Sequence, residues 1–336
     1  MKYVYVLTSS ENDCYYEQFF LSVTSLRLYN PKANIVLLLD ERTKSGLTGK
    51  RAGYEGLISE IRIIPVPAEF SQKESSRWIK TSISDYVNGD FLFIDCDTIV
   101  TGSLEYDFPS DVKIGAILDN HTLLQNHRLR DYIIRENTTV SFTYINKRQN
   151  YYNGGVIYVK KCPESGVFFR KWHELWLISL KRGCSQDMPA LNQADYELGS
   201  IISIIGGEWN CQIGYGGLQY FANAKIIHYF STELSFFATP YSLASNKVLS
   251  SIKESGIIAD TILLKLKNPF SEFESNARIF SDVQVLSVIN SSIFSNLLWL
   301  KRNHTHIFYT IDSIIAKTAQ IVKKLFIRKE INNYVK

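Results

Sequence analysis

Short, nearly unbroken apolar segments alternate with amphipathic stretches along the first two thirds of the chain. Tyr3–Leu7, Ile35–Leu39, Ile61–Val66, Phe91–Ile94, Ile114–Leu118, Val156–Val159, Ile201–Ile205 and Ile226–Phe230 each read as a strand buried on both faces. Between them lie helical patterns. Asn12 or Asp13 can cap a helix carrying Phe19, Phe20, Val23 and Leu26 on one face and ending at Asn30-Pro31. Glu74–Val87 places Trp78, Ile79, Ile83 and Val87 together, and further helices are expected over Pro163–Lys181 and Asp187–Gln193. This alternation predicts an α/β domain, 1–240, with a mostly parallel sheet flanked by helices. After about Pro240 the strands stop, and 241–336 reads as a helical region. Its segment Ile307–Arg328 aligns Ile307, Ile311, Ile314, Ile315, Ile321, Val322 and Leu325 in one stripe.

In parallel sheets of this kind ligands bind beyond the carboxyl ends of the strands. Asp40, Asp95, Asp97 and Asp119 each close a predicted strand, so they should gather along one edge. Asp95-Cys96-Asp97 is the most informative of these. Alternation along a strand turns Asp95 and Asp97 to one side and Cys96 to the other. Two neighbouring carboxylates repel and lose hydration, and a divalent cation with oxygen ligands would hold them. For Asp40 and Asp119 a turn or cap is an equal reading. Arg77 and Lys80 share a helix face, either as partners of aspartates and phosphate or as a solvated surface. Asn153-Gly154-Gly155 either admits a close backbone approach or forms a plain turn. Asp187 opens a helix, where an N-cap needs no other function. His228, inside an apolar strand, is either a core residue or a metal ligand.

Composition narrows the class only slightly. A chain of 336 residues that is 45% hydrophobic and 21% charged can bury a large core. Net charge of +4 is mild, and no nucleic-acid partner is expected. Much of the charge lies at the end. From Lys301 onward, Lys301, Arg302, Lys317, Lys323, Lys324, Arg328, Lys329 and Lys336 face Asp312 and Glu330, a net +6. Such a basic amphipathic helix suits an anionic membrane surface, or else packs with its basic face in solvent. Cys14, Cys96, Cys162, Cys184 and Cys211 have no zinc or redox spacing, which reads as free thiols in a reducing compartment. Met1-Lys2 runs directly into an apolar segment too short for a signal peptide, and no stretch is long enough to span a bilayer. The expected location is the cytoplasm, peripheral on the membrane face if the tail binds lipid.

Taken in order, several segments resemble the GT-A-fold nucleotide-sugar glycosyltransferases, most closely the family 8 type. They are Tyr3 through Ser10, the strand ending at Asp40, Ser76-Arg77-Trp78-Ile79-Lys80, Phe93-Ile94-Asp95-Cys96-Asp97, Ile117-Leu118-Asp119, Asn153-Gly154-Gly155-Val156, Asp187 through Asn192, Trp209-Asn210 and Ile227-His228-Tyr229. The resemblance spans about Met1 to Phe230. It implies a GT-A (Rossmann-like) fold and retaining transfer of a hexose from a UDP-sugar to a glycan, glycolipid or glycoprotein, in bacterial surface glycan synthesis. Asp95, Asp97 and His228 would hold Mn²⁺ or Mg²⁺ bridging the donor phosphates. Thr8 and Asp40 would meet the uridine. Lys80, where the family usually has Arg, and Arg77 would touch the donor, with Cys96 and Gly154 counted among the nucleotide-binding residues. Asp119, Asn153 and Asp187 would face the donor sugar and acceptor hydroxyls as the catalytic group.

Two departures accompany the resemblance. Met188 stands where the family commonly has Gln, and Tyr229-Phe230-Ser231-Thr232-Glu233 lacks the Lys that usually follows the His. They favour a non-catalytic carbohydrate- or membrane-binding relative, while Asp95, Asp97 and His228 favour an enzyme. A haloacid-dehalogenase-like phosphatase would need Gly after Asp97, where Thr98 stands, and an earlier motif. A sugar-phosphate nucleotidyltransferase would need glycines near Leu7-Thr8-Ser9-Ser10.

Overall fold

A computed structural model of the chain describes residues 1–214, 216–229, 241–272, 287–289 and 291–334, with side chains described as far as 322. It divides into two compact units, Met1–Ala277 and Arg278–Lys336.

The first unit is built on β1 (Lys2–Leu7), β2 (Asn34–Leu39), β3 (Glu60–Ile63), β4 (Phe91–Ile94), β5 (Thr98–Val100), β6 (Ile114–Leu118), β7 (Tyr152–Val159), β8 (Ile202–Ile204), β9 (Cys211–Gln212) and β10 (Ile226–His228). Seven of these form one sheet in the order β3-β2-β1-β4-β7-β6-β8. Every pairing in it is parallel except those of β7, which runs against both β4 and β6. The expected α/β class, with a mostly parallel sheet flanked by helices, is therefore observed. A second sheet, β5-β10-β9, lies where the chain leaves β4.

Strand alternation sorts the apolar side chains into two cores. Tyr3, Tyr5, Leu7, Ile35, Leu37, Leu92 and Ile94 pack with Phe19, Val23 and Leu26 of α1 (Tyr15–Tyr29). Val4, Val6, Val36, Leu38, Phe91 and Phe93 pack on the opposite face, against Ile79 of the helix Gln72–Thr81 and Phe168, Phe169 and Trp172 of the helix Pro163–Lys181. Burial on both faces explains why these strands read as continuous apolar runs.

Several boundaries differ from those expected, each for a local reason. α1 starts at Tyr15 with Cys14, rather than Asn12 or Asp13, at its N-cap, because the Asp13 carboxylate accepts from Ser9, Ser10, Gln72 and the Tyr15 N–H and so holds the preceding loop. The helix expected over Glu74–Val87 begins at Gln72, with a Ser71–Glu74 capping box worth roughly 1 kcal/mol. It breaks at Ser82, whose hydroxyl donates back to the Trp78 carbonyl at 2.7 Å. β3 stops at Ile63, ahead of Pro65, which has no N–H to continue a ladder. Phe230 to Glu233 lie outside the described residues.

Beyond the expected boundary near 240, the helices Asn246–Ser255 and Asp260–Lys267 belong to the first unit. Leu249, Ile252, Ile262 and Leu266 join the α1 core, and Lys253 donates to the Asp13 carbonyl at 2.9 Å. The second unit contains the helices Ser292–Asn303 and Thr305–Tyr334. Ile307, Ile314, Ile315 and Ile321 of the expected stripe are exposed. The side chains of Lys323, Lys324, Leu325, Arg328, Lys329 and Glu330, and all of Lys336, lie outside the described residues. Among the described residues, no helix is long and apolar enough to cross a membrane. All five cysteines are free thiols.

Candidate metal and nucleotide-sugar site

β4 ends at Ile94, and the chain bends through Asp95-Cys96-Asp97 into β5, so the three residues join the two sheets rather than close a strand. Their backbone is held from both sides. Asp95 N–H donates to the Gly155 carbonyl at 2.8 Å, and the Asp97 carbonyl accepts from Tyr229 N–H at 3.2 Å. The opposed orientations expected from alternation persist. Cys96 turns inward and donates to the Val6 carbonyl, and burial together with Asp95 and Asp97 pushes its thiol well up.

Pairing of β10 with β5 sets His228 opposite Thr98. That register brings His228 Nε2 to 3.2 Å from Asp97 Oδ1. Ligand atoms of Asp95, Asp97 and His228 lie within 4.8 Å of one another. Asp95 is raised by burial and by the neighbouring Asp97, against the opposing charge of Lys80. Burial disfavours a charged His228, but the two aspartates outweigh it and raise its value. Two carboxylates and one imidazole thus converge here, with Lys80 as the nearby cation.

The imidazole is also oriented for a ligand. The Asp119 carboxylate can only accept, so Asn153 Nδ2 donates to its Oδ1 at 2.7 Å. Asn153 Oδ1 then faces the Gly155 N–H at 2.8 Å and Asn210 Nδ2 at 2.9 Å, leaving Asn210 Oδ1 to accept from His228 Nδ1 at 2.9 Å. Directionality running along this buried chain puts a proton on Nδ1 and, in the neutral ring, a lone pair on Nε2, on the side of the carboxylates. Two carboxylates and one imidazole suit Mn²⁺ or Mg²⁺, so the residues fit the metal that the resemblance implies.

Asn153-Gly154-Gly155 lies within β7 and is not a turn. A Cβ on Gly155 would stand 2.3 Å from His228 Cε1, so the close-approach reading holds there and the ring sits directly on the strand backbone. Gly154 lies beneath Lys80 and Asp187, where a Cβ would make ordinary contacts at 3.4 and 3.5 Å.

The cations are not a solvated helix face. Lys80 is buried, with Nζ 3.3 Å from Asp95 and 3.4 Å from Asp187, and 4.9 Å from the Phe93 ring centroid. Arg77 Nε reaches Asp187 Oδ1 at 3.1 Å. Asp187 precedes the helix Met188–Glu197, but its side chain makes no capping hydrogen bond. Its carboxylate instead sits between the two cations. Burial pushes it up, yet Lys80 and Arg77 outweigh burial and hold it below the usual value. That interaction stabilises the fold above the ordinary Asp value near ~3.9 and is lost as pH falls through the lower folded value. Asp187→Asn is accordingly expected to lose less melting temperature than the wild type on acidification from pH 6 to pH 3. Equal losses in the two proteins would remove Asp187 as a contributor.

Thr8 and Asp40 end β1 and β2 but are engaged locally. Thr8 donates to the Gln72 carbonyl at 3.0 Å, and Asp40 caps the helix Glu41–Gly46 by accepting from Thr43 N–H at 2.8 Å. For Asp40 the cap reading is the one realised. Beside it opens a cleft of about 450 Å³ lined by Asp40, Arg42, Ile64 and Val66.

Two functional positions were not assigned roles from the sequence. Asn210 orients His228, and its one signal in the sequence is the Trp209-Asn210 pair within the family resemblance. His127 bonds to Asp119, and nothing in its neighbourhood marks a lone His.

No family model matches the chain, and no curated protein does. Among solved structures it is similar to the apo form of mouse xyloside xylosyltransferase 1, with 14% identity over 68% of this chain and 96% of that one and a TM-score of 0.45. It is similar also to the galactosyltransferase LgtC in complex with donor and acceptor sugar analogues (16%, 76% of this chain and 96% of that one, 0.46). A third likeness is to the glycosyltransferase GlyE of Streptococcus pneumoniae TIGR4 (17%, 83% and 67%, 0.45). At such values these likenesses carry nothing about activity. The sheet order and the site residues define an α/β protein with a candidate divalent-metal centre at the end of its central strand.

Proposed function

We propose that the protein is a metal-dependent glycosyltransferase that moves a hexose from a UDP-sugar to a hydroxyl of a glycan, glycolipid or glycoprotein, with retention of configuration. The observation that carries this reading is the convergence of Asp95, Asp97 and an imidazole presenting Nε2, at the end of a strand in a mostly parallel sheet. Asp95, Asp97 and His228 would hold Mn²⁺ or Mg²⁺, which supplies Lewis-acid neutralisation of the departing diphosphate. The remaining roles belong to the chain. Lys80 and Arg77 offer positive charge beside the metal ligands. Asp119 and Asp187, both held below the usual carboxylate value, stay ionised and favour positive charge developing on the sugar. Asn153 links Asp119 to the metal side.

The test is UDP release from a panel of UDP-sugars, with Mn²⁺ and with EDTA. Release from one donor, lost on chelation, is expected. Absence of both release and UDP binding would overturn the reading. Binding without release from any donor, even with acceptor glycans added, would favour a non-catalytic binding protein, which Met188 also permits.

A further inference from the structure

The Asp119 carboxylate is held by a residue outside the metal centre. His127 Nε2 lies 3.0 Å from Asp119 Oδ2, and the side chain of His127 is fully enclosed while that of Asp119 is 13% exposed. His127 Nδ1 accepts from Leu129 N–H at 3.0 Å, so in the neutral ring the proton sits on Nε2 and is donated to Asp119. The Tyr151 ring meets the imidazole edge-on, with centroids 6.2 Å apart, and the Asn120 amide rests against both Nε2 and Oδ2. Asp119 thereby has Asn153 on one oxygen and His127 on the other.

A second observation shows that the loop is built to keep this arrangement. Asn120 and His121, the two residues after Asp119, both adopt left-handed backbone with φ of 54° and 53°. Such strain persists where the surroundings over-determine it. Here Asn120 N–H donates to Gln212 Oε1 at 2.7 Å, Gln212 Nε2 donates to the Leu118 carbonyl at 3.0 Å, and Gln212 N–H donates to His121 Nε2 at 3.2 Å. Burial pushes the His121 ring down to about 4, which leaves it a neutral acceptor. The tight turn folds the chain back so that His127 arrives under the carboxylate at the end of β6.

We propose that His127 is a positioning residue for Asp119, holding that carboxylate in one orientation toward the substrate hydroxyls of the proposed sugar transfer. The enclosed imidazole cannot touch substrate and acts through Asp119. Burial alone would raise the Asp119 carboxyl, but the His127 hydrogen bond, with the Asn153 bond, lowers it, so the carboxylate remains anionic in a partly buried position.

The inference rests on the glycosyltransferase reading, and its test separates the two. His127→Leu removes the donor at similar bulk, and His127→Gln places an amide N–H near the position of Nε2. With the donor that the wild type uses, His127→Leu is expected to lower kcat about 10- to 100-fold, with the donor KM within about twofold and Mn²⁺–UDP binding unchanged. His127→Gln is expected to recover most of the loss. A kcat within twofold of wild type in His127→Leu, or no recovery in a folded His127→Gln, overturns the proposal. A readout independent of turnover covers an inert wild type or a poorly folding Leu variant. Carboxyl ¹³C titration of Asp119 in the metal-free protein, assigned by its loss in Asp119→Asn, should move upward in His127→Leu, or toward wild type in His127→Gln relative to His127→Ala. Long-range ¹H–¹⁵N spectra should show the His127 proton on Nε2. A proton on Nδ1, or an Asp119 titration indifferent to residue 127, overturns the proposal whether or not the enzyme reading stands.

Discussion

Asp97→Ala is expected to abolish the proposed metal-dependent UDP release and to leave the chain folded, the largest effect of any substitution at this site. Asp97 is one of two carboxylates in the three-residue set, and it also faces His228 Nε2 at 3.2 Å. Its removal takes away a charged ligand and the negative partner that favours a cation at that point. Metal stabilisation of a departing diphosphate is worth several kcal/mol, which at about 1.4 kcal/mol per decade corresponds to roughly a thousandfold in rate. The fold should tolerate the change. The backbone carbonyl that holds Tyr229 is retained, and loss of one of two repelling carboxylates relieves Asp95. Turnover and calorimetric Mn²⁺ binding are measured together with the melting temperature. Activity within twofold of wild type would sink the metal-site proposal, and wild-type Mn²⁺ affinity would do so even if turnover fell.

Gly155→Ala should be nearly as damaging, although it changes no polar group. The new Cβ would lie 2.3 Å from His228 Cε1 and 2.7 Å from Nδ1, well inside any real Cβ contact. The ring cannot step aside cheaply, because it is enclosed, tied to Asn210 at 2.9 Å, and carried by β10 between β5 and β9. Either His228 leaves the site or β7 shifts. A fall in Mn²⁺-dependent turnover on the order of a hundredfold is expected, with loss of the thermal stabilisation by Mn²⁺. Gly154→Ala is the control. Its Cβ would stand 3.4 Å from the end of the flexible Lys80 side chain, so Mn²⁺ stabilisation should survive. Equal behaviour of the two variants would mean that contact with His228 is not what requires glycine at 155.

Much of the fold was legible because the sheet is covered on both faces. Continuous apolar runs such as Ile35–Leu39 leave little choice but a buried strand. What pattern alone could not supply was pairing. The reversal of β7 and the division of β4 and β5 between two sheets depend on contacts remote in sequence. Ends of helices were misplaced where one side chain had a better use for its hydrogen bonds, as with Asp13 and Ser82. Asp95, Asp97 and His228 were found as candidates and are brought together. Asp40 turned to its helix as a cap, and Asp187 did not. Local sequence made the opposite outcome equally reasonable for each, since the deciding partners, Arg77 and Lys80 in the case of Asp187, approach through space. His127 was invisible for the same reason, because its importance comes from a turn that bends it back eight residues under Asp119.

The ligand set also draws on both sheets. Asp95 leaves the end of β4 in the central sheet, and His228 closes the small sheet only after β10 has paired with β5. In a chain made from its amino terminus, the two aspartates exist long before their imidazole partner. A cation held by all three residues would therefore require β10 to be in place, and it would act as a clasp between early and late segments. Chelation should loosen the seam between the two sheets before it disturbs either hydrophobic core.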